Sequence, residues 1–160
     1  MAAGVLLDTS FLISLADKNR AHHEAARRYW RHFLDNEIPI FLSTIVASEF
    51  STKQEIPPEI LRSCVVLPFN WDDAVRAAKL DWKRLRPQGV ERDALKDDIK
   101  IIAQAAQADV EFAITDDSES FYKYCQTFKD AGGSAVQGDQ AGGWLRPRLL
   151  RSEWPARLHG

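Results

Sequence analysis

The chain is poor in cysteine, in long apolar runs and in charge of one sign, and each shortage excludes something. Its two cysteines, Cys64 and Cys125, match neither the paired spacing of a zinc site nor a disulfide framework, so both are read as reduced thiols. Apolar stretches are short and broken by charge; none could span a bilayer. Met1-Ala2-Ala3-Gly4 brings no charged region ahead of an apolar one, and Asp8 interrupts the apolar run Val5-Leu6-Leu7. No signal peptide is therefore expected, and the protein is placed in the cytoplasm. A Gly-rich phosphate loop is missing, which removes nucleotide hydrolysis of the Walker kind. No internal repeat is visible. A formal net charge of −2 gives no overall attraction to nucleic acid, although a local basic patch or bound cations can offset it.

What is present is a 160-residue chain, 45% hydrophobic and 28% charged, enough for one domain with a substantial core. Val5-Leu6-Leu7-Asp8 reads as a buried strand ending in an acid, passing into a helix over Thr9 to Ala16 that Thr9 or Ser10 caps. Helical spacing of Ala25, Ala26, Tyr29, Trp30 and Phe33 predicts a helix over His22 to Leu34. Strands are expected at 38–42, 64–69 and 111–114. Helices are expected from Ser43-Thr44 through Glu49, after Pro57-Pro58, and at 72–84, 96–108 and 117–128. Strands alternating with helices predict an α/β fold around a mainly parallel sheet. The domain is placed at 1–130. Gly132-Gly133, Gly138 and Gly142-Gly143 then introduce a Gly-rich, later basic, extension over 131–160. Its stretch from Trp144 to Gly160 carries Arg146, Arg148, Arg151 and Arg157 against Glu153, and reads either as a tail packed by Trp144 and Trp154 or as an arm for RNA or protein.

Ligands of such sheets gather beyond the carboxyl ends of the strands. Asp8 and Asp116-Asp117 both stand there. Glu49 sits among small and apolar residues in Ala47-Ser48-Glu49-Phe50, and Asp98 is expected to open the helix that runs on through Ile99 and Ala105. Singly these have plainer readings: Asp98 as a helix cap, Asp116-Asp117 as a turn, Glu49 as half of an ion pair. Together they make a set of hard oxygen donors of the kind that binds Mg²⁺, suited to phosphodiester hydrolysis.

The ordered set Leu7-Asp8-Thr9-Ser10, Ala47-Ser48-Glu49-Phe50, Asp98 with its small-residue helix, and Thr115-Asp116-Asp117 resembles the PIN-domain nucleases, most of all the VapC-type ribonuclease toxins, over residues 4 to 128. The resemblance implies a PIN-like domain and a metal-dependent endoribonuclease. Asp8, Glu49, Asp98 and Asp117 would hold one or two Mg²⁺ or Mn²⁺ ions, with Asp97 and Asp116 as register alternatives. Hydrolysis would leave a 5′-phosphate and a 3′-hydroxyl. Thr9, the hydroxyl beside Asp8, and Thr115 would support the ligands from behind. It also implies an RNA substrate, an antitoxin partner and a homodimer, with no membrane. Phe11, Trp30 and Phe33 either line a groove for the antitoxin or pack in the core. For RNA phosphates the candidates are the segment Lys18-Asn19-Arg20-Ala21-His22-His23, the helix residues Arg27, Arg28, Arg31 and His32, and the segment Arg84-Leu85-Arg86, against the plainer reading of solvated faces; His22 and His23, being adjacent, need not point at one metal centre. A PIN-like binding module without catalysis is the alternative. A haloacid-dehalogenase type of phosphotransfer would want an aspartate where Ser10 stands, and is set aside.

Overall fold

In a computed structural model, the structure describes residues 4–79, 92–108, 110, 112–116 and 137–140. The expected helix over 117–128, the end of the helix over 72–84, Arg84-Leu85-Arg86, Cys125, Trp144 and Trp154 lie outside these residues. In chain order the described elements are β1 (Val5–Leu7), α1 (Thr9–Ala16), α2 (His23–Asp35), β2 (Ile40–Ser43), α3 (Thr44–Ser51) and α4 (Pro58–Arg62). They are followed by β3 (Val65–Leu67), α5 (Trp71–Lys79), α6 (Arg92–Gln107), β4 (Phe112–Thr115) and β5 (Gln137–Gln140).

The strands form one sheet in the order β3-β2-β1-β4-β5, and all four pairings are parallel. The fold is therefore α/β with a parallel central sheet, as the alternation of elements predicts. β1 and β4 lie inside the sheet and bury every residue, which is why both read as unbroken apolar runs. Phe11, Leu12 and Leu15 of α1, Tyr29 and Phe33 of α2, and Ile99, Ile101 and Ile102 of α6 complete the core. Full burial of such side chains contributes about 1.5–3 kcal/mol each. Phe11 and Phe33 are thereby core residues, which removes them as groove candidates; Trp30 remains partly buried at the margin.

Local chemistry explains the element ends. Ser43 caps α3, its Oγ accepting from the Ile45 N–H at 3.1 Å. Asn70 and Asp73 bond reciprocally at the start of α5, each side chain accepting from the other's backbone N–H, at 2.9 and 3.0 Å. At the other end of α2, the Glu37 N–H donates to the Leu34 carbonyl and the Ile38 N–H to that of Phe33, with Glu37 at φ 53°. That is the Schellman arrangement, here with a glutamate in the left-handed position.

Two expectations change. α6 begins at Arg92, so Asp98 lies within the helix and does not open it. Arg92, Ala94, Leu95 and Lys96 are good helix formers, and they extend the helix upstream of the paired aspartates. The strand β5 has no counterpart among the expected elements: Gln137-Gly138-Asp139-Gln140 has no apolar alternation, and its register comes from pairing with β4. The sheet thus draws on residues beyond 130. Among the described residues no helix is long and apolar enough to cross a membrane.

Candidate active site

The order of the sheet decides where a site can form. From β1 the chain winds outward through β2 and β3, then returns to place β4 on the other side of β1. The connections diverge there, leaving a crevice beyond the carboxyl ends of β1 and β4. Asp8 follows β1 and Asp116 follows β4, so both aspartates stand at that crevice.

Asp8 is 5% exposed. It occupies the N-cap position of α1, and its carbonyl accepts the Leu12 N–H at 3.1 Å, yet its side chain makes no capping bond. Instead Asp8 Oδ2 accepts from Ser10 Oγ at 2.9 Å and from Thr115 Oγ1 at 2.7 Å. Each hydroxyl has one proton, and both protons are directed at one carboxylate oxygen. Ser10 Oγ also accepts the Asp116 N–H at 2.8 Å, so one serine ties the start of α1 to the end of β4. The two donors offset part of the desolvation that burial of a carboxylate brings.

Thr9 serves a different acid. Its hydroxyl donates to Glu49 Oε2, linking α1 to α3. The hydroxyl residue beside Asp8 that orients its carboxylate is therefore Ser10, with Thr115, while Thr9 attends Glu49. The reason is helical geometry: Thr9 and Ser10 are adjacent on α1 and so face different neighbours.

Asp116 is held on both oxygens. Oδ1 lies 2.5 Å from His22 Nδ1, and Oδ2 accepts from the buried Ser14 Oγ at 2.6 Å. The next residue, His23, donates from Nδ1 to the Ser14 carbonyl at 2.9 Å. The entrance of α2 is thus pinned to α1 and to the end of β4. Sequence reasoning missed Ser10, Ser14 and His22 in these roles. A signal existed for the serines: Ser10 and Ser14, one helical turn apart, make a polar stripe on an otherwise apolar helix.

Asp98 is half-buried on α6, which packs against α3, the helix of Glu49. Its neighbour Asp97 pairs with Lys100 at 3.0 Å. Asp117 lies outside the described residues. Among the described residues no three His, Cys, Asp or Glu side chains stand close enough together to hold a metal ion. The donor chemistry itself fits one: carboxylate oxygens at a strand-end crevice suit a hard divalent cation.

Residues 5–126 match the family model described as PIN domain. The chain belongs to the PIN domain family. This PIN domain is similar in fold to Mycobacterium tuberculosis VapC20, a sarcin-ricin loop-cleaving toxin. The identity is 19% and the TM-score 0.53, covering 84% of this chain and 99% of that one. It is also similar to VapBC2 from Rickettsia felis bound to a promoter DNA fragment, at 14% identity and TM-score 0.57, over 84% and 97% of the two chains. DNA-bound VapBC from Salmonella typhimurium matches at 15% identity and TM-score 0.51, over 89% and 100%. No curated protein matches the chain in sequence.

Elsewhere on this PIN domain's α1, α2 and α4, Leu15, His23, Arg27, Trp30, Arg31, Leu34, Glu59 and Ile60 line an open cavity of about 310 Å³. Arg27, Arg28 and Arg31 are exposed, whereas His32 is buried, which removes it as a phosphate candidate.

Proposed function

We propose that this PIN domain is a VapC-type endoribonuclease dependent on Mg²⁺ or Mn²⁺, acting as the toxin of a toxin–antitoxin pair. The observation that carries the reading is Asp8: a buried carboxylate at the sheet's switch point, withdrawn from helix capping and held by two hydroxyls. The ligands would be Asp8, Glu49, Asp98 and Asp117. Asp116, with both oxygens engaged by His22 and Ser14, is better suited to positioning the β4 end than to ligation, which supports Asp117 in the ligand register. When bound, the cation supplies charge neutralisation at the phosphate and a water of lowered pKa. Ser10 and Thr115 keep the Asp8 carboxylate in one orientation, so no reorganisation is needed as charge develops. Thr9 holds Glu49, whose carboxylate takes up the proton of the attacking water. The products are a 5′-phosphate and a 3′-hydroxyl.

The solved VapBC complexes support an antitoxin as partner. The open cavity beside Trp30, apolar in part and rimmed by Arg27 and Arg31, offers a surface for it. The alternative, a PIN-like binding module without catalysis, draws on the lack of a gathered metal-ligand trio among the described residues. Cleavage of a panel of structured and single-stranded RNAs with Mg²⁺, Mn²⁺ or EDTA separates the two. Wild type is expected to cut only with metal. Asp8→Asn should lower cleavage by at least about a hundredfold while retaining the wild-type circular dichroism spectrum. Undiminished cleavage by Asp8→Asn overturns the assignment, and RNA binding without metal-dependent cleavage selects the binding module.

A further inference from the structure

Leu42 of β2 is level with Leu7 of β1, and Ser43 with Leu67 of β3, so the end of β3 lies at the same edge of the sheet as Asp8. Two strand spacings, about 10 Å, separate β3 from β1. Beyond that end, between α5 and α6, Leu67, Pro68, Asn70, Asp73, Gln104 and Gln107 line a cavity of about 170 Å³. Sites that enclose a whole drug-sized ligand run to roughly 300–1,000 Å³, so this one suits a single planar ring system. Its polar groups are held in place by one another. Gln104, 1% exposed, spans the ends of two strands: Ser43 Oγ donates to its Oε1, and its Nε2 donates to the Leu67 carbonyl at 3.1 Å. Asn70 Oδ1 accepts the Asp73 N–H at 3.0 Å, and Gln107 Oε1 accepts from Arg76 Nε at 3.2 Å. All three lining amides thus have their oxygens engaged and keep N–H donors to offer.

Asp73 stands opposite in character. It is 4% exposed, and its Oδ2 accepts the Asn70 N–H at 2.9 Å. Among the described residues no cation pairs with it, and Oδ1 makes no hydrogen bond. The start of α5 offsets part of the cost of burying that charge, but further donors would offset more. The lining therefore sets a carboxylate short of donors beside amides short of acceptors. Of the four RNA bases, guanine alone shows two adjacent donors, N1–H and the N2 amino group, next to an acceptor, O6, on one edge. Adenine and cytosine would turn a ring-nitrogen lone pair towards the carboxylate, and uracil has a carbonyl on either side of its single N–H. We infer that the cavity between α5 and α6 is a subsite for one guanine of a single-stranded RNA, Asp73 accepting from N1–H and the N2 amino group and the lining amides donating to O6. Unstacked bases are read in this way, by their Watson–Crick edges. Trp71, next to Asn70 in the chain and 80% exposed, supplies a π-face for stacking, and the exposed Arg76 a charge for phosphate. The inference rests on the ribonuclease reading for its RNA strand, but it is tested by binding.

The test measures anisotropy of fluorescent oligouridine strands carrying one central guanine, adenine or inosine, or none, on the full-length wild-type protein in EDTA at fixed salt. The guanine strand is expected to bind about tenfold more tightly than the adenine and all-uridine strands. Inosine, which lacks the N2 amino group, should bind about threefold more weakly than guanine. These comparisons vary the RNA alone, so the fold of the protein is common to all of them. Asp73→Asn keeps an oxygen for the Asn70 N–H but turns an acceptor into a donor. It is expected to remove most of the guanine preference while the all-uridine strand binds as before. Should Asp73→Asn lose the all-uridine strand as well, Gln107→Glu at the exposed rim decides in its place, with the same expectation. Equal affinity for guanine and adenine strands overturns the inference, as do inosine binding as tightly as guanine, a guanine preference intact in the deciding variant, and no binding of any strand. Cleavage by wild type is scored separately with Mg²⁺ or Mn²⁺. Metal-dependent cleavage with no guanine preference in binding leaves the nuclease standing and removes the subsite. Guanine-selective binding without cleavage keeps the subsite and removes the nuclease.

Discussion

Ser10 carries more of the site than its size indicates. Its single hydroxyl donates to Asp8 and accepts from the Asp116 backbone, so its removal leaves one carboxylate short of a donor and one N–H short of an acceptor. Ser10→Ala is expected to lower stability by about 2 kcal/mol, the range for a hydrogen bond to a charged group. Urea titration would register this as an earlier midpoint with an unchanged slope; an unmoved midpoint would mean the network contributes nothing to the fold. The neighbouring residues also show how far a sequence carries at this scale. Asp8 was legible because an acid at the end of an apolar strand has few plain explanations. Which hydroxyl serves it was not, because Thr9 and Ser10 differ only by 100° around a helix whose neighbours come from residues 49 and 115. His22 was unreadable for the same reason: its partner Asp116 is 94 positions away.

At the scale of elements, periodicity placed α1 and α2 to within a residue, and Ser43 and the Pro57-Pro58 pair marked the starts of α3 and α4, since those signals lie inside or beside each segment; the cap expected of Thr9 or Ser10 falls instead at Asp8. α6 and β5 departed because theirs do not. Asp97-Asp98 resembles a helix start, but the formers ahead of it prolong the helix, and β5 takes its conformation from β4. The end of α2 exposes a different tension. The Schellman bonds of Glu37 and Ile38 require a left-handed residue, and a glutamate there is strained by roughly 1–2 kcal/mol relative to glycine. Glu37→Gly is expected to raise stability by about 1 kcal/mol, part of the relief being offset by the entropy of the unfolded glycine. A lower thermal midpoint in that variant would show that the glutamate side chain makes a compensating contact.

At the scale of the whole molecule, stability should depend on pH through the edge of the sheet. Burial pushes the thiol of Cys64, beside β3, up to about 12 from an ordinary 9.0. Above pH 9 the unfolded chain releases this proton while the folded one retains it, so the unfolded state gains and stability declines from about pH 9 towards pH 12. Below pH 9 the thiol is neutral in both states and contributes no slope. Cys64→Ala should flatten the decline between pH 8.5 and 10.5, measured as the difference in unfolding free energy between the two proteins; parallel curves would count against the buried thiol as its source.

The bond from Thr115 to Asp8 joins positions 107 apart in the chain. Contacts of that span close late, after the local helices have formed, because the loop between them must first be ordered. During synthesis the first strand leaves the ribosome long before the fourth exists, and until then Asp8 has neither the wall of β4 nor its threonine. On the ribonuclease reading proposed above, a nascent polypeptide would gain its cutting site only after its distant end has docked.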